Sequence, residues 1–377
     1  MASNGNSSQE AGRPQPQTTV EAAGGPFIRH SQPGRAPLYT RSGDALGSIV
    51  TQPLVARPGY FRNIRVQHTL VTGGTLTSGA VAADAPYNLN SLIQFKDAFG
   101  TPLIVAPGYE VSNLISIFGG AFGLNNGTNN PANLPSYSAP SATTGAAQFS
   151  YALPLEFAKG YGVLSAANAS LLPTLQFNFN TVTALYGSSV TGTAPTVTTT
   201  VDTDFYWLPE GVAVEPPGLG TTRQWLLQQA NPSIAASSSA RLQFPRLGGY
   251  LDTIILEVRD STGARTDGYW PSRLQLYVDG VPMIDSTMNE IYDDMAIQFG
   301  AITRPTGVIA ISRKNSLMQQ SLGLLDTGEV YLSTNPGTLL EANFAPAGAG
   351  SNSPATMSVL IGQIVPTGSI IQGLPEL

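Results

Sequence analysis

The amino-acid sequence predicts an all-β protein built from two tandem β-sandwich domains, each interrupted by one short helix. Three observations predict this fold class. Runs of Val, Ile, Leu, Thr, Phe and Tyr are separated about every 8–15 residues by Gly, Pro, Asn or Asp. Two other segments have the spacing of an amphipathic helix. The order of strands and helix in the first half of the chain is repeated in the second half.

The strand pattern is clearest where apolar and polar residues alternate. Leu175, Phe177 and Phe179 are separated by single polar residues, as a strand with one buried face requires. Similar strand-rich segments are Tyr60–Thr72, Asn90–Asp97 and Thr196–Leu208. Many short strands joined by turns favour a sandwich or barrel over alternating β and α units.

Two segments predict helices. Tyr109–Phe118 carries apolar residues at i, i+3, i+4 and i+7 and is followed by Gly119. Thr287–Phe299 has the same spacing, and Thr287 and Glu290 form a capping box at its start. We expect both apolar stripes to face a hydrophobic core.

The internal repeat is the most informative feature. The matching segments are Arg57–Leu70 and Leu92–Val105 in the first half, and Arg246–Arg259 and Leu274–Asp285 in the second. In each half a Gly-Tyr pair begins a long strand, so Tyr60 matches Tyr250. A strand ending in Asp, a turn containing Gly, a strand with Pro near its start and a helix then follow, so Phe118 matches Phe299. The sequence therefore predicts that the chain folds the same sandwich twice.

The repeat predicts four regions along the chain. Residues 1–45, polar and rich in Gly and Pro, are a flexible N-terminal arm. Residues 46–209 are the first sandwich, which contains a long loop at 119–148. Residues 210–239 are a linker between the domains, and 240–377 are the second sandwich.

Three of these segments have more specific interpretations. The arm is either a disordered tail or a segment that orders against a neighbouring subunit or an inner layer through Phe27, Ile28 and Tyr39. The long loop is either a mobile surface loop or a tower on the outer face of an assembly. In the linker, the stretch TTRQWLLQQ predicts a short helix between the domains, anchored by Trp225.

Composition limits the classes of function. Charged residues make up 11% of the chain, against about 25% in an average soluble domain. A weakly charged surface suits a protein whose sides are covered by other copies. The net charge is −6 and no basic run is present, so we expect no direct binding of nucleic acid. The absence of cysteine excludes disulfides, cysteine zinc sites and thiol catalysis.

Few residues suggest chemistry. Of the two histidines, His30 lies in the arm and His68 lies on a predicted strand, where a packed or half-exposed side chain is expected rather than a catalytic one. Asp202 and Asp204 lie on one face of a strand, a spacing that could serve a cation or a glycosidase pair, or simply form a solvated edge.

A second acidic group, Glu290, Asp293 and Asp294, lies on the polar face of the second helix, where solvation explains it. Asn126 and Asn168 match the glycosylation sequon, which has no meaning without a secretory route. The sequence has no secretory signal pattern, and no apolar run approaches the ~20 residues of a membrane span. We predict no catalytic, cofactor-binding or metal site, and no enzyme activity.

The repeated order of Gly-Tyr strand, Asp-Gly turn, strand and mid-domain helix resembles the double jelly-roll major capsid proteins of the tectivirus–adenovirus lineage, such as the coat proteins of tectivirus-like bacteriophages. The resemblance covers about residues 46–370. It implies two jelly rolls, a homotrimer with pseudo-six-fold symmetry, and an icosahedral shell around double-stranded DNA. It also implies synthesis in the host cytoplasm, an internal membrane reached by the N-terminal arm, and vertex and minor capsid proteins as partners.

Two other functions remain open at this point. The chain could be a phage tail, fibre or surface-layer protein made of β-sandwich modules. It could also be a carbohydrate-binding or carbohydrate-active sandwich protein that uses Asp202 and Asp204.

Overall fold

The computed structural model describes residues 25–77, 82, 84–119, 141, 143–165, 170–210, 212, 214–217, 219–228, 240–244, 248–299, 304–312, 332–333, 340–344 and 355–366. Most of these residues are in β-strands, which confirms the predicted all-β class. The strands form two sandwiches, one from each half of the chain.

The first sandwich has two main sheets. Its strands are β1 (Gln32–Ala45), β2 (Ile49–Pro53), β3 (Tyr60–Val71), β4 (Thr75–Leu76), β5 (Asn90–Lys96), β6 (Pro102–Ala106), β7 (Ala147–Pro154), β8 (Leu164–Ser165), β9 (Thr174–Phe179), β10 (Val190–Thr191) and β11 (Thr196–Trp207). One sheet has the order β1-β11-β3-β7, and the other has the order β2-β9-β5-β6. Their inner faces meet in a common core, where the ring of His68 on β3 lies 5.1 Å from that of Phe177 on β9.

The second sandwich repeats this arrangement. Its strands are β12 (Thr221–Gln228), β13 (Ala240–Phe244), β14 (Tyr250–Arg259), β15 (Arg273–Val278), β16 (Val281–Thr287), β17 (Val308–Ser312), β18 (Leu332–Ser333), β19 (Leu340–Phe344) and β20 (Thr356–Pro366). The strand orders are β12-β20-β14-β17 and β13-β19-β15-β16. When the eight main strands of either sandwich are counted along the chain, both sandwiches have the order of a jelly roll, 1-8-3-6 and 2-7-4-5. The predicted duplication is therefore confirmed in the topology.

Local irregularities are repeated as well. One extra residue bulges from β3 at Arg62 and from β14 at Asp252, in the same place relative to the eighth strand of each roll. The glycine of each Gly-Tyr pair is required for the same physical reason. A Cβ on Gly59 would lie 2.1 Å from the carbonyl oxygen of Tyr206, and a Cβ on Gly249 would lie 2.3 Å from that of Ile364. Only glycine allows this close approach of the third strand to the eighth strand.

The two rolls share one continuous sheet. Strand β6 of the first roll pairs in parallel with β12 of the second, through Trp225 opposite Ile104 and Leu226 opposite Val105. Because this pairing is parallel, both rolls point in the same direction. The predicted linker helix is therefore wrong. Its residues form β12, whose two neighbours β6 and β20 supply the hydrogen bonds that a helix would otherwise make internally.

Both predicted helical segments are helical, and the described residues contain three further short helices that were not predicted. The described helices are α1 (Gly25–His30), a 3₁₀ turn (Tyr87–Leu89), a π-helix (Glu110–Ile115), α2 (Ser116–Phe118), α3 (Val182–Tyr186) and α4 (Met288–Phe299). The first predicted helix is thus a π-helix continued by α2, and we call these two segments together the first-roll helix. The second predicted helix is α4, and its capping box forms between Thr287 and Glu290.

The N-terminal segment differs from the prediction. Residues 25–45 are not a flexible arm, because α1 and β1 fold onto the first roll of the same chain. Phe27 is buried against Tyr60 and Tyr206, with ring centroids 5.7 and 5.3 Å away. Residues 1–24 and the loop segment 120–140 lie outside the described residues.

Candidate assembly surfaces

Asp204, one of the acidic pair on β11, is neutralised by two arginines of its own sheet. Arg35 Nε lies 2.8 Å from Asp204 Oδ1, and Arg65 Nε lies 2.7 Å from Asp204 Oδ2. Burial alone raises the pKa of Asp204, but the hydrogen bonds and charges of the two arginines outweigh it and hold that pKa below its usual range. Asp202 lies on the same strand two residues earlier, as predicted. Because each Asp204 oxygen already binds a guanidinium, Asp204 is best explained as part of a cross-strand ion-pair network.

His68 is a core residue, as predicted. Its Nδ1 lies 3.0 Å from the Thr199 hydroxyl, and its Nε2 lies 3.1 Å from the Tyr151 hydroxyl. Phe149, Phe177 and Tyr151 surround the ring. Burial lowers the pKa of His68 to about 3, so the imidazole is neutral at physiological pH. Its role is therefore to pack and hydrogen-bond inside the first roll.

The most elaborate polar arrangement lies between the two rolls. Arg223 of β12 and Asp252 of β14 are both buried, with 2.6 Å between Nη2 and Oδ2. Arg223 also donates from Nη1 to the carbonyl oxygen of Gly119, at a distance of 2.7 Å. Because Gly119 ends the first-roll helix, one buried guanidinium joins two strands of the second roll to the first roll.

A second polar cluster lies at the other end of the same helix. Arg259 of β14 contacts Asp84 of the first roll at 2.5 Å and Glu257 at 2.8 Å. Glu110, at the start of the first-roll helix, lies beside Glu257, and burial raises the pKa of the Glu110 carboxyl group. Burial, then the nearby Glu110 charge, raises the pKa of Glu257 to about 8. Arg265 completes the cluster, with its Nε 3.1 Å from Asp84.

The first-roll helix lies between these contacts and strands β6 and β7 of its own roll. Every residue from Glu110 to Phe118 is buried. The ring of Phe118 lies 4.9 Å from that of Phe299, so the two residues matched by the sequence repeat touch each other. Strand β14 is correspondingly buried on both faces between Leu251 and Val258.

Among the residues that the structure describes, the corresponding surfaces on the other side of each roll are more exposed. On β3, buried residues alternate with half-buried ones, among them Arg65 and Gln67 on the outer face. Helix α4 exposes Glu290, Asp293 and Asp294, as predicted, and also Ile297, which is 51% exposed. We call the outer face of the sheet β1-β11-β3-β7 the sheet surface, and the exposed side of α4 with the adjoining β16 the helix surface.

The remaining sequence candidates add no site. His30 is exposed at the end of α1, and Asn126 and Asn168 lie outside the described residues. Within the part of the chain that the structure describes, no three His, Cys, Asp or Glu residues could together hold a metal ion. None of the described helices is long and apolar enough to cross a bilayer.

Sequence reasoning missed the residues between the rolls. Arg223, Asp252 and Glu257 are ordinary charged residues within strand patterns, and nothing around them in the sequence indicates burial. One signal was available: β14 is apolar on both faces at Leu251, Ile254, Ile255, Leu256 and Val258, which is typical of a strand covered on both sides.

Comparison with known proteins identifies the fold. No family model and no curated protein match this sequence. The crystal structure of the major capsid protein of STIV is similar, with a TM-score of 0.59, 15% identity, and coverage of 88% of this chain and 96% of that one. A chain in the atomic structure of the same Sulfolobus turreted icosahedral virus has a TM-score of 0.58, 15% identity, and coverage of 88% and 90%.

A third structure, the major capsid protein P2 of bacteriophage PM2, has a TM-score of 0.52 and 10% identity. The match covers 90% of this chain and all of that one. Together with the two jelly-roll strand orders, these similarities show that the chain has the double jelly-roll fold of those capsid proteins.

Proposed function

We propose that this chain is a viral major capsid protein, whose copies assemble into the shell of a virion. One observation carries the proposal: two jelly rolls point in the same direction and are joined through a shared sheet, as one unit that matches capsid proteins over 88–90% of its length. The contacts of Arg223 and Arg259 across the junction fix the two rolls to each other. A rigid two-roll unit is suited to tiling a shell.

The assembly that we propose is a homotrimer. Three copies of two rolls give six similar units around one axis, and such a capsomer fits a hexagonal lattice in an icosahedral shell. The genome is double-stranded DNA, with an internal membrane beneath the shell and separate vertex and minor capsid proteins. The acidic net charge of −6 supports a coat that does not bind the DNA directly. Residues 1–24 precede α1 and are our candidate for contact with the inner layer.

We infer a structural role without catalysis. A glycosidase needs one carboxyl group with a raised pKa as general acid, whereas the pKa of Asp204 is lowered and both of its oxygens bind arginine. This observation counts against the carbohydrate-active alternative.

The test is the mass and shape of the purified full-length chain. Multi-angle light scattering should give three times the chain mass of 39.4 kDa. Negative-stain images should show compact particles with a six-cornered outline. A monodisperse monomer, at concentrations up to those used for assembly, would contradict the proposal. As a direct control for catalysis, Asp202→Asn should change no glycan binding or hydrolysis in a screen.

A further inference from the structure

We propose that one shared proton holds the start of the first-roll helix against the second roll. Glu110 of the helix and Glu257 of β14, which we call the acid pair, share this proton, and its loss lets the helix detach locally from β14. The inference concerns the chain by itself and goes beyond the proposed function, on which it does not rest. Three observations support it, which are the balance of charge, the burial of the pair and the form of the helix.

The first observation is an excess of acid at this junction. The acid pair and Asp84 lie beside two guanidinium groups, those of Arg259 and Arg265. With every group ionised, the cluster would carry a charge of 2 − 3 = −1. The other charged contact of the junction, Arg223 with Asp252, balances at 1 − 1 = 0. Because an unpaired charge is costly in a buried site, the first cluster favours binding one proton.

The second observation is the place where this proton would reside. The acid pair is almost completely buried, with 6% of Glu110 and 2% of Glu257 exposed. In each of these two carboxyl groups, Oε2 receives no hydrogen bond from the described residues. A proton shared between the two groups would supply a donor. Asp84 instead contacts both arginines at the partly exposed rim of the cluster, so it is the carboxyl group that remains ionised.

The directions of the pKa shifts agree with this assignment. Burial, then the nearby Glu110 charge, raises the pKa of Glu257 to about 8. The charges of Arg259 and Arg265 act in the opposite direction but do not outweigh these two effects. Burial raises the pKa of Glu110 as well. Tyr109, which also lies in the cluster, stays neutral because burial raises the pKa of its phenol.

The third observation is the form of the helix at this end. The first-roll helix begins as a π-helix, Glu110–Ile115, and the Ser116 N–H donates to the Val111 carbonyl oxygen. π-Helices are rare and occur mostly as single turns, frequently at functional sites. No side chain caps the start of this one. The start of the helix therefore depends on tertiary contacts, of which the acid pair is one on the side of the second roll.

The first experiment measures local opening of the helix by hydrogen exchange of the full-length chain between pH 5 and pH 8. Peptides covering 110–118 report the first-roll helix, and peptides covering β9 report a strand that β5 and β6 separate from the second roll. Detachment releases one proton, because a solvated glutamate is ionised in this range. After correction for intrinsic exchange, protection of the helix should therefore fall about tenfold per pH unit. The helix should also be less protected than β9 at every pH.

The second experiment removes either member of the acid pair. Glu257→Gln and Glu110→Gln each leave two carboxyl groups beside two guanidinium groups, so neither variant needs the proton. Protection of the helix should then no longer fall with pH. The matched control is Glu156→Gln, because Glu156 is also a largely buried carboxylate, but its ion pair with Arg62 lies within the first roll. This control should keep the tenfold fall, and circular dichroism should show that all three variants are folded.

The outcomes decide the inference. A tenfold fall per pH unit in the wild type and the control, absent from both pair variants, would support it. Helix protection that is independent of pH in the wild type would overturn it, and this measurement needs no variant. Equal protection of the helix and β9 at every pH would also overturn it, since the helix would then open only when the whole roll unfolds. A fall that persists in Glu110→Gln would show that Glu257 titrates alone and would overturn the shared proton.

Discussion

Strands β3 and β14 occupy the same place in their respective rolls but differ in their surroundings. Each follows a Gly-Tyr step, and each bulges at the same position. On β3, inward residues are buried and outward residues are half-buried, whereas β14 is buried on both faces. The difference has one cause, which is that the first-roll helix covers β14 and no described element covers β3 in the same way. The burial pattern of a duplicated fold thus indicates where a neighbour is present and where one is missing.

The bulge positions offer the sharpest test of this comparison. Asp252→Asn leaves the buried Arg223 guanidinium without a compensating charge, which should cost about 3–5 kcal/mol of unfolding free energy. The equivalent bulge residue on β3 is Arg62, a partly exposed side chain that contacts Glu156 at 2.6 Å. Arg62→Gln should cost about 1 kcal/mol. Urea unfolding of the two variants measures both values.

A physical reason lies behind the expected asymmetry. After Arg62→Gln, Glu156 still accepts hydrogen bonds from Gly160 and from the hydroxyl of Tyr206, so its carboxylate is not orphaned. Among the described residues, Arg223 would keep the Gly119 carbonyl oxygen as its hydrogen-bond acceptor and the ring of Trp225, 5.8 Å away, as a neighbour. Equal destabilisation by the two substitutions would contradict our account of the junction.

A second test concerns the inner faces of the same two strands. His68 of β3 and Val258 of β14 are eight residues after Tyr60 and Tyr250, and both are buried. The pKa of His68 is lowered from 6.5 to about 3, so the neutral form stabilises the fold above pH 6.5 and that stability is lost as the pH falls towards 3. At pH 4 the unfolding free energy should be about 3 kcal/mol lower than at pH 7 because of His68.

His68→Val gives β3 the residue that β14 has at the equivalent position, Val258. The substitution should remove this pH dependence of stability. The measurement is the unfolding free energy between pH 7 and pH 4. His30→Val, at an exposed position in α1, is the control for replacing a histidine by valine. An unchanged slope in His68→Val would show that another group causes the acid sensitivity.

A third test concerns the outer faces. Glu257 of β14 is buried beside Glu110, and its equivalent on the open face of β3 is Gln67. The pKa of Glu257 is raised from 4.5 to about 8. The protonated side chain therefore contributes to folding stability at low pH, and this contribution is lost as the pH rises from about 4.5 to 8.

Glu257→Gln should therefore be more stable than the wild type at pH 8, by on the order of 2 kcal/mol, and should show a flatter pH profile. The matched variant is Gln67→Glu, which places a carboxylate on the open face of β3 and should shift stability little over the same range. Thermal unfolding from pH 5 to pH 8 measures both. A destabilised Glu257→Gln variant at pH 8 would contradict the proposed protonation of the pair.

The sequence predicted the features that depend on local chemistry. Alternating residues predicted β9, the capping box predicted the start of α4, and the Gly-Tyr pairs located β3 and β14. Two features depend on distant partners and were predicted wrongly. Residues 221–228 form a central strand only because β6 and β20 supply hydrogen bonds on both sides, and residues 25–45 are ordered only because β11 and the core around Phe27 receive them.

The candidate assembly surfaces could be predicted only in part. The carboxylates of α4 were recognised as an exposed helix face, because their spacing follows from the helix itself. The contact of Arg223 with Gly119 and the proximity of Glu257 to Glu110 could not be predicted, since each joins residues more than 100 positions apart. Periodicity gives the face on which a side chain lies, but not what covers that face.

The smallest expected effect compares the starts of the two helices. In α4, the Thr287 N–H donates to Glu290 at 2.7 Å, and the Thr287 hydroxyl accepts from the Glu290 N–H at 3.4 Å. The first-roll helix begins after Tyr109 without a side-chain cap, because its contacts with the second roll hold it in place. Thr287→Ala should cost about 1 kcal/mol of unfolding free energy, because it removes the hydroxyl that accepts from the Glu290 N–H. Urea unfolding measures the difference, and an unchanged stability would show that α4, like the first-roll helix, does not depend on a side-chain cap.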